Sequence, residues 1–138
     1  LNQVTLSDPR LNELGELCHG YMEFRYLLKE AIDSARETIV AVDEAHDAAL
    51  LQLGKAVVFD RQKGNCLACH LIDGGESPGD IGPPLVAMQA RFPDKEALRA
   101  QISDATAANP NSLMPPFGKH RIVSERELDA IVEYLYTL

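Results

Sequence analysis

Apolar residues in the first sixty positions recur at helical spacing. From Leu28 to Leu53 they step by alternating fours and threes, with charged residues between them, and no glycine or proline lies between positions 21 and 53. Such an alternation places the apolar side chains on one face of an amphipathic helix. The pattern predicts one or two amphipathic helices over about residues 21–60, preceded by a short helix that Ser7 caps and Gly20 interrupts.

The C-terminal end carries the clearest helix signal. Ser124 with Glu127 three residues later forms a capping box, and Leu128, Ile131 and Leu135 share one helical face. Residues 94–103 predict a short helix, and residues 83–90 a weaker one. Strand signals are nearly absent, so the predicted fold is all-α.

Glycine and proline are concentrated in the middle of the chain. Twelve of the 17 lie between positions 71 and 123, and loops of this kind cannot pack a core by themselves. In a domain of this size such loops need a large additional group to pack against. We therefore predict a helical extension over residues 1–45, followed by a globular domain over residues 46–138. The apolar face of an amphipathic helix generally packs on the core of its own domain, and we expect this of the extension. The alternative is that the apolar face binds a partner.

Length and charge narrow the possible functions. With 138 residues the chain is one domain with an appended arm. Its net charge of −8 repels a phosphate backbone and argues against nucleic-acid binding. No apolar run approaches the roughly 18 to 20 residues needed to cross a bilayer.

The motif that carries chemistry is Cys66-Leu67-Ala68-Cys69-His70. Two thiols at this spacing can each bond one vinyl group of a haem, and the adjacent histidine is then directed at the iron. A thioredoxin-like redox pair needs a βαβ setting that the sequence lacks. A zinc site that recruits Cys18 lacks the second ligand pair that structural zinc usually has. The motif predicts one haem c, covalently attached through Cys66 and Cys69.

A haem iron held by His70 has a sixth position to fill. Met114 lies in a proline-stiffened loop that can hold a weakly binding thioether against a metal. Met88 and Met22 are better explained as core residues, and His120 is a second choice. We predict Met114 as the ligand. Both His70 and Met114 would then be metal ligands.

A proline-rich turn follows His70 by twelve residues. A ligating histidine normally donates its other ring N–H to an acceptor that fixes its orientation. A proline has a free carbonyl and no N–H, so we predict that the Pro83 carbonyl orients His70. No separate catalytic residue is predicted.

Together these features resemble a class I cytochrome c over about residues 46–138. The resemblance implies that fold, and it implies that the first and last helices cross at Gly54, against Tyr134 or Leu135. A narrower resemblance is to the SoxX family, the monohaem subunits of the periplasmic SoxAX complexes of bacterial thiosulfate oxidation. Four segments carry it: residues 64–70, 79–85, 109–117 and 131–138.

The SoxX resemblance implies a specific role. SoxAX complexes are L-cysteine S-thiosulfotransferases that couple thiosulfate oxidatively to a cysteine of the SoxYZ carrier and release two electrons. This chain would receive those electrons from a larger SoxA-type cytochrome subunit and pass them to a small external cytochrome. It would have no substrate site of its own. The resemblance also implies a bacterial periplasmic protein, and we expect the signal peptide to be absent from this mature chain.

Two other functions stay open at this point. The chain can instead be a free-standing electron carrier, or a haem protein with an open sixth position that binds a small ligand. Cys18 lies outside the resemblance, and we expect it to be a buried thiol that acts as a small hydrophobe or an intermolecular bridge. An N-terminal arm that docks on the larger subunit is a further hypothesis.

Overall fold

The computed structural model describes residues 9–138, which form helices and turns and contain no β-strand. This confirms the predicted all-α fold. The described helices are α1 (Pro9–Phe59), α2 (Met88–Arg91), α3 (Lys95–Ser103), α4 (Ala105–Ala108) and α5 (Glu125–Leu135), with a 3₁₀ turn at Cys66–Ala68.

Helix α1 is longer and more regular than predicted. It runs without a break through Gly15 and Gly20, so the predicted interruption at Gly20 is wrong. One glycine costs a helix only about 1 kcal/mol relative to alanine, and the good helix formers on either side outweigh that cost. The predicted cap at Ser7 lies outside the described residues.

The chain divides into two compact units, one ending at Glu44 and the other running from Ala45 to Leu138. From residue 13 to Glu44 nearly every side chain is exposed. Cys18 is among them, so the expectation of a buried thiol is wrong. This part of the structure leaves its apolar side chains in water.

The core lies in the second unit. Val58, Ile72, Leu98, Leu128 and Ile131 are almost completely buried there. They come from four separate parts of the chain, namely α1, the loop after the cysteines, α3 and α5. The core therefore joins elements that are distant in sequence.

The end of α1 meets α5 at a glycine. A Cβ at Gly54 would collide with the backbone carbonyl of Ala130 and lie 2.9 Å from the Cβ of Tyr134. Next to this contact the rings of Phe59 and Tyr134 pack edge to face, 6.4 Å apart. The crossing at Gly54 therefore involves Tyr134, as the resemblance implies, and Ala130 in place of Leu135.

Side chains cap α3 and α5, and the cap of α5 is the one that the sequence predicts. Asp94 accepts from the backbone N–H of Glu96 at 3.0 Å and starts α3. At α5 the Ser124 hydroxyl accepts from the N–H of Glu127, whose carboxylate accepts from the N–H of Ser124 at 2.9 Å. The capping box is thus confirmed.

The weak helix predicted at residues 83–90 is mostly a loop. Its helical part begins only at Met88, because Ala87 adopts a left-handed conformation with φ 51°. The N–H of Met88 donates to the carbonyl of Leu138 at 3.0 Å. Pro83 and Pro84 cannot donate backbone hydrogen bonds. The chain therefore forms no helix before the hydrogen bond of Met88.

Candidate haem site

The segment that carries the two cysteines is folded by its own backbone. The N–H groups of Lys63 and Asn65 donate to the carbonyl of Asp60, at 3.2 and 2.9 Å, which turns the chain back after α1. The N–H groups of Cys69 and His70 donate to the carbonyl of Cys66, at 3.2 and 2.9 Å. This tight turn brings both sulfur-bearing residues and His70 to the wall of one cavity.

A glycine makes this turn possible. A Cβ at Gly64 would collide with the carbonyl of Val57 in the last turn of α1. Asn65, the residue after it, has a left-handed backbone with φ 46°, which asparagine tolerates better than most residues. The attachment segment is thereby pressed against the end of α1.

The cavity has a volume of about 660 Å³ and lies entirely within the second unit. Its deeper wall is apolar and comes from α2, α3, α5 and the loops between them, with Leu85, Met88, Leu98, Ile102, Phe117, Ile131 and Leu135. Burial in these surroundings raises the pKa of the Cys66 thiol to about 11. An uncharged thioether suits such a wall better than a thiolate does.

His70 is held by the turn that follows it. Its Nδ1 lies 2.7 Å from the carbonyl oxygen of Pro83, so a proton on Nδ1 is donated to that carbonyl. A Cβ at Gly82 would collide with the imidazole ring, so only a glycine lets the ring approach this closely. The N–H of Gly82 in turn donates to the carbonyl of Cys69 at 2.7 Å. These contacts leave Nε2 as the ring nitrogen free to bind a metal.

The four candidates for the sixth ligand of the iron differ in burial and in whether they line the cavity. Met114 is half-buried and lines the cavity, and its N–H donates to the Ser112 hydroxyl at 3.2 Å. Met88 lines the cavity too, but it is buried in the core and its sulfur accepts from Arg91 at 3.5 Å. His120 is exposed and is not among the lining residues. Met22 belongs to the first unit and is exposed there, so the expectation that it is a core residue is wrong.

The lining residues fit a haem. The interior is apolar, as the porphyrin requires, and within the described part of the chain the lining includes three cationic residues and no carboxylate: Arg61, Lys63 and Arg91. Cationic side chains are suited to the two propionates that a haem carries. Two cysteines and an oriented histidine supply the attachment points and one axial nitrogen.

The zinc alternative finds no support in the structure. Within residues 9–138, no group of three or more His, Cys, Asp and Glu side chains is placed to hold a metal ion. The thioredoxin alternative lacks its sheet, since the described residues form no strand.

Sequence reasoning missed two of these features. These are the close approach of Gly82 to the imidazole of His70 and the hydrogen bond that holds the Arg91 side chain. Both depend on contacts with the loop that follows His70. Arg91 donates to the carbonyl of Pro84 at 2.7 Å. The only signal in the sequence was the glycine directly before the proline pair.

Comparison with known proteins agrees with this site. Residues 52–135 match the family described as cytochrome C oxidase, cbb3-type, subunit III, and the chain belongs to that family. A comparison with curated proteins gave no match. The chain is thus a class I monohaem cytochrome c that carries one haem c, bound through Cys66 and Cys69, and its role is electron transfer. Within residues 9–138, no helix is both long enough and apolar enough to span a bilayer.

Proposed function

We propose that this cytochrome is the electron-transfer subunit of a SoxAX-type complex. In such a complex thiosulfate is joined to a cysteine of a SoxYZ-type carrier, and two electrons are released. A larger SoxA-type subunit would deliver them to this chain, and a small external cytochrome would accept them. The proposal is supported by the four SoxX-like segments, which contain Cys66, Cys69, His70, Pro83 and Met114.

We also propose the roles of the axial residues. His70 would hold the iron of the haem through Nε2, with its ring oriented by the Pro83 carbonyl, and Met114 would be the sixth ligand. A haem held there would supply one-electron chemistry between ferric and ferrous iron. Histidine and methionine ligation raises the reduction potential relative to two histidines, and a high potential suits an acceptor.

With His70 and Met114 both holding the iron, no position would be left on it for a substrate. The 2.7 Å contact between His70 Nδ1 and the Pro83 carbonyl is the observation that carries this assignment. It engages Nδ1 and so leaves Nε2 for the iron, and His70 and Met114 both line the same cavity. The chain alone then transfers electrons without bond chemistry, in a bacterial periplasm to which it is exported.

The axial assignment is tested by substitution of Met114 with alanine. We expect a lower reduction potential and a ferrous haem that binds carbon monoxide, because the sixth position is opened. Met22→Ala is the matched control and should change neither property. A Met114→Ala protein with unchanged potential and spectrum would exclude Met114, and loss of the ligand signature in Met88→Leu would assign the position to Met88. Carbon monoxide binding by the unaltered protein would favour the ligand-binding alternative.

The partner assignment is tested with the haem-loaded chain in its natural host. We expect a tagged chain to co-purify with a larger c-type cytochrome in a one-to-one ratio. Reduction of its haem by thiosulfate should require that subunit and a carrier protein with a free cysteine. Haem reduction by thiosulfate in the absence of both proteins contradicts the proposal.

A free-standing electron carrier is the second candidate. It is favoured by the confinement of the whole cavity to residues 61–135, so no partner residue is needed to complete it. Purification of the chain without any larger cytochrome, together with rapid electron exchange with a terminal oxidase, would select this alternative.

A further inference from the structure

The first unit exposes a row of large apolar side chains along α1. Leu17 is 70% exposed, Phe24 is 61% exposed, and Tyr21 and Leu28 belong to the same row. Soluble proteins rarely leave such a row in water unless it is an interaction surface. The row therefore marks a surface that a partner covers.

This row follows a seven-residue repeat. The positions of this repeat step by alternating fours and threes, and we call them the seam: Leu17, Tyr21, Phe24, Leu28, Ala31, Ala35, Thr38 and Val42. The seam takes Ala31 and Thr38 where the stripe that continues to Leu53 takes Ile32 and Ile39, and these two exposed isoleucines lie directly beside the seam. None of the seam residues is charged. A repeat of 3.5 residues, sustained over several turns, is typical of a coiled coil rather than of a helix lying on a globular core.

The acidic residues of the helix keep the same period. A glutamate recurs at every seventh position, on a side of the helix turned away from the seam: Glu16, Glu23, Glu30, Glu37 and Glu44. Pairing along the seam leaves these carboxylates in water. The positions directly beside the seam are uncharged except Arg25, whose aliphatic stem can cover a neighbouring apolar side chain.

The sizes of the seam residues identify the partner. Large residues fill the first half, up to Leu28, and small ones dominate the second half from Ala31. When two copies run antiparallel, each large residue faces a smaller one of the second copy: Leu17 faces Val42, Tyr21 faces Thr38, Phe24 faces Ala35, and Leu28 faces Ala31. Alternating large and small residues across a seam fills it without voids or clashes.

Parallel pairing lacks this match. It would place Tyr21 on Tyr21 and Ala35 on Ala35, which overfills one layer and leaves a void in the other. Antiparallel pairing is isologous, so one sequence satisfies both sides of the interface. A self-matching size pattern points to a second copy of this chain rather than to the larger subunit.

We propose that residues 17–42 of two copies of this chain pair as an antiparallel two-stranded coiled coil. At a rise of about 1.5 Å per residue the pairing extends over about 39 Å. This proposal does not depend on the role in thiosulfate oxidation, since it rests on the first unit alone.

The first test uses the haem-loaded chain by itself in sedimentation equilibrium. We expect a dimer whose dissociation constant rises about tenfold or more in Phe24→Glu, because a carboxylate is buried in the seam. Tyr26→Glu is the matched control: Tyr26 is 62% exposed and lies off the seam, so the dimer should persist. A monomer at the highest concentration reached overturns the proposal. Equal weakening by both substitutions also overturns it.

The second test distinguishes the orientation and uses Cys18, the thiol that the haem leaves free. In the antiparallel dimer the two Cys18 residues lie about 35 Å apart along the axis. Parallel strands would place them about 10 Å apart. Pulsed electron spin resonance of nitroxide-labelled protein should give the long distance, and a short distance would overturn the antiparallel arrangement.

The larger subunit is the competing occupant. A chain that is monomeric alone, and that binds the larger cytochrome through the surface Phe24→Glu disrupts, overturns self-pairing and assigns the seam to that subunit. A dimer that persists while the chain binds no cytochrome partner supports self-pairing and contradicts the proposed function. The two proposals can therefore fail separately.

Discussion

The two units of this chain use apolar residues in opposite ways. In the second unit apolar side chains from four chain segments converge on one core beside the haem cavity. In the first unit residues of the same kinds stay exposed along a single helix. The apolar cavity of the second unit is lined for a cofactor, and we propose that the exposed row of the first unit pairs with a second copy of the chain, so exposure alone does not show what a surface requires.

Removal of the haem should give the largest effect, and only in the second unit. In a Cys66→Ala, Cys69→Ala double variant we expect loss of covalent haem and of cooperative unfolding of this unit, because its loops close on the cofactor. Haem staining after denaturing electrophoresis and circular dichroism measure the two losses. Cys18→Ala is the control and should retain both properties. A stable, cooperatively folded domain without haem would contradict the role given to the cofactor.

Alanine in place of glycine should act with opposite signs in the two parts of α1. Gly54→Ala drives a Cβ into the carbonyl of Ala130, which we expect to lower the free energy of unfolding by about 1 to 3 kcal/mol. Gly20→Ala meets nothing within 4 Å and should stabilise its helix by up to about 1 kcal/mol. Denaturant titration followed by circular dichroism compares the two. If both substitutions changed the free energy of unfolding in the same direction, the proposed difference between the packed end of α1 and its exposed part would be wrong.

The α5 cap should contribute an intermediate effect. Ser124→Ala removes the hydroxyl that accepts from the N–H of Glu127, and we expect a loss of about 1 kcal/mol. Ser77→Ala, at an exposed position outside the helices, is a suitable comparison. No change in the unfolding midpoint would show that the cap is replaced by water.

The same cap predicts an acid sensitivity. The ammonium of Lys63, together with the N–H of Ser124, lowers the pKa of Glu127 from its usual 4.5 to about 2. A depressed pKa means that the stabilisation is complete above pH 4.5 and is lost as the pH falls toward 2. Glu127→Gln keeps the capping geometry and should flatten this part of the pH profile of the unfolding free energy. An identical profile in both proteins would assign the acid sensitivity to other carboxylates.

The smallest effect is expected on the exposed helix. Lys29 and Asp33 form an ion pair at 2.8 Å, one turn apart in the first unit. Exposed pairs at this spacing contribute about 0.3 to 0.5 kcal/mol. Lys29→Gln should therefore shift the helical signal only slightly, and high salt should remove the difference. A loss above about 1 kcal/mol would indicate that this helix face is buried.

Local chemistry was enough to predict much of this protein. The helical class, the capping box at Ser124 and the attachment of haem through Cys66 and Cys69 follow from spacing along the chain. Each of them depends on residues no more than a few positions apart. Short-range hydrogen bonds and covalent geometry determine such features, so they are visible without a fold.

Tertiary structure decided the rest. The left-handed start at Ala87 and the contact of Gly54 with Ala130 depend on contacts between distant segments that no local pattern contains. The sequence predicts the partner of His70 at Pro83, but the close approach of Gly82 to the ring across a twelve-residue loop is visible only in the fold. A sequence specifies which groups are available, but only packing between distant segments decides which of them meet, because the free energy of those contacts arises from the whole folded chain.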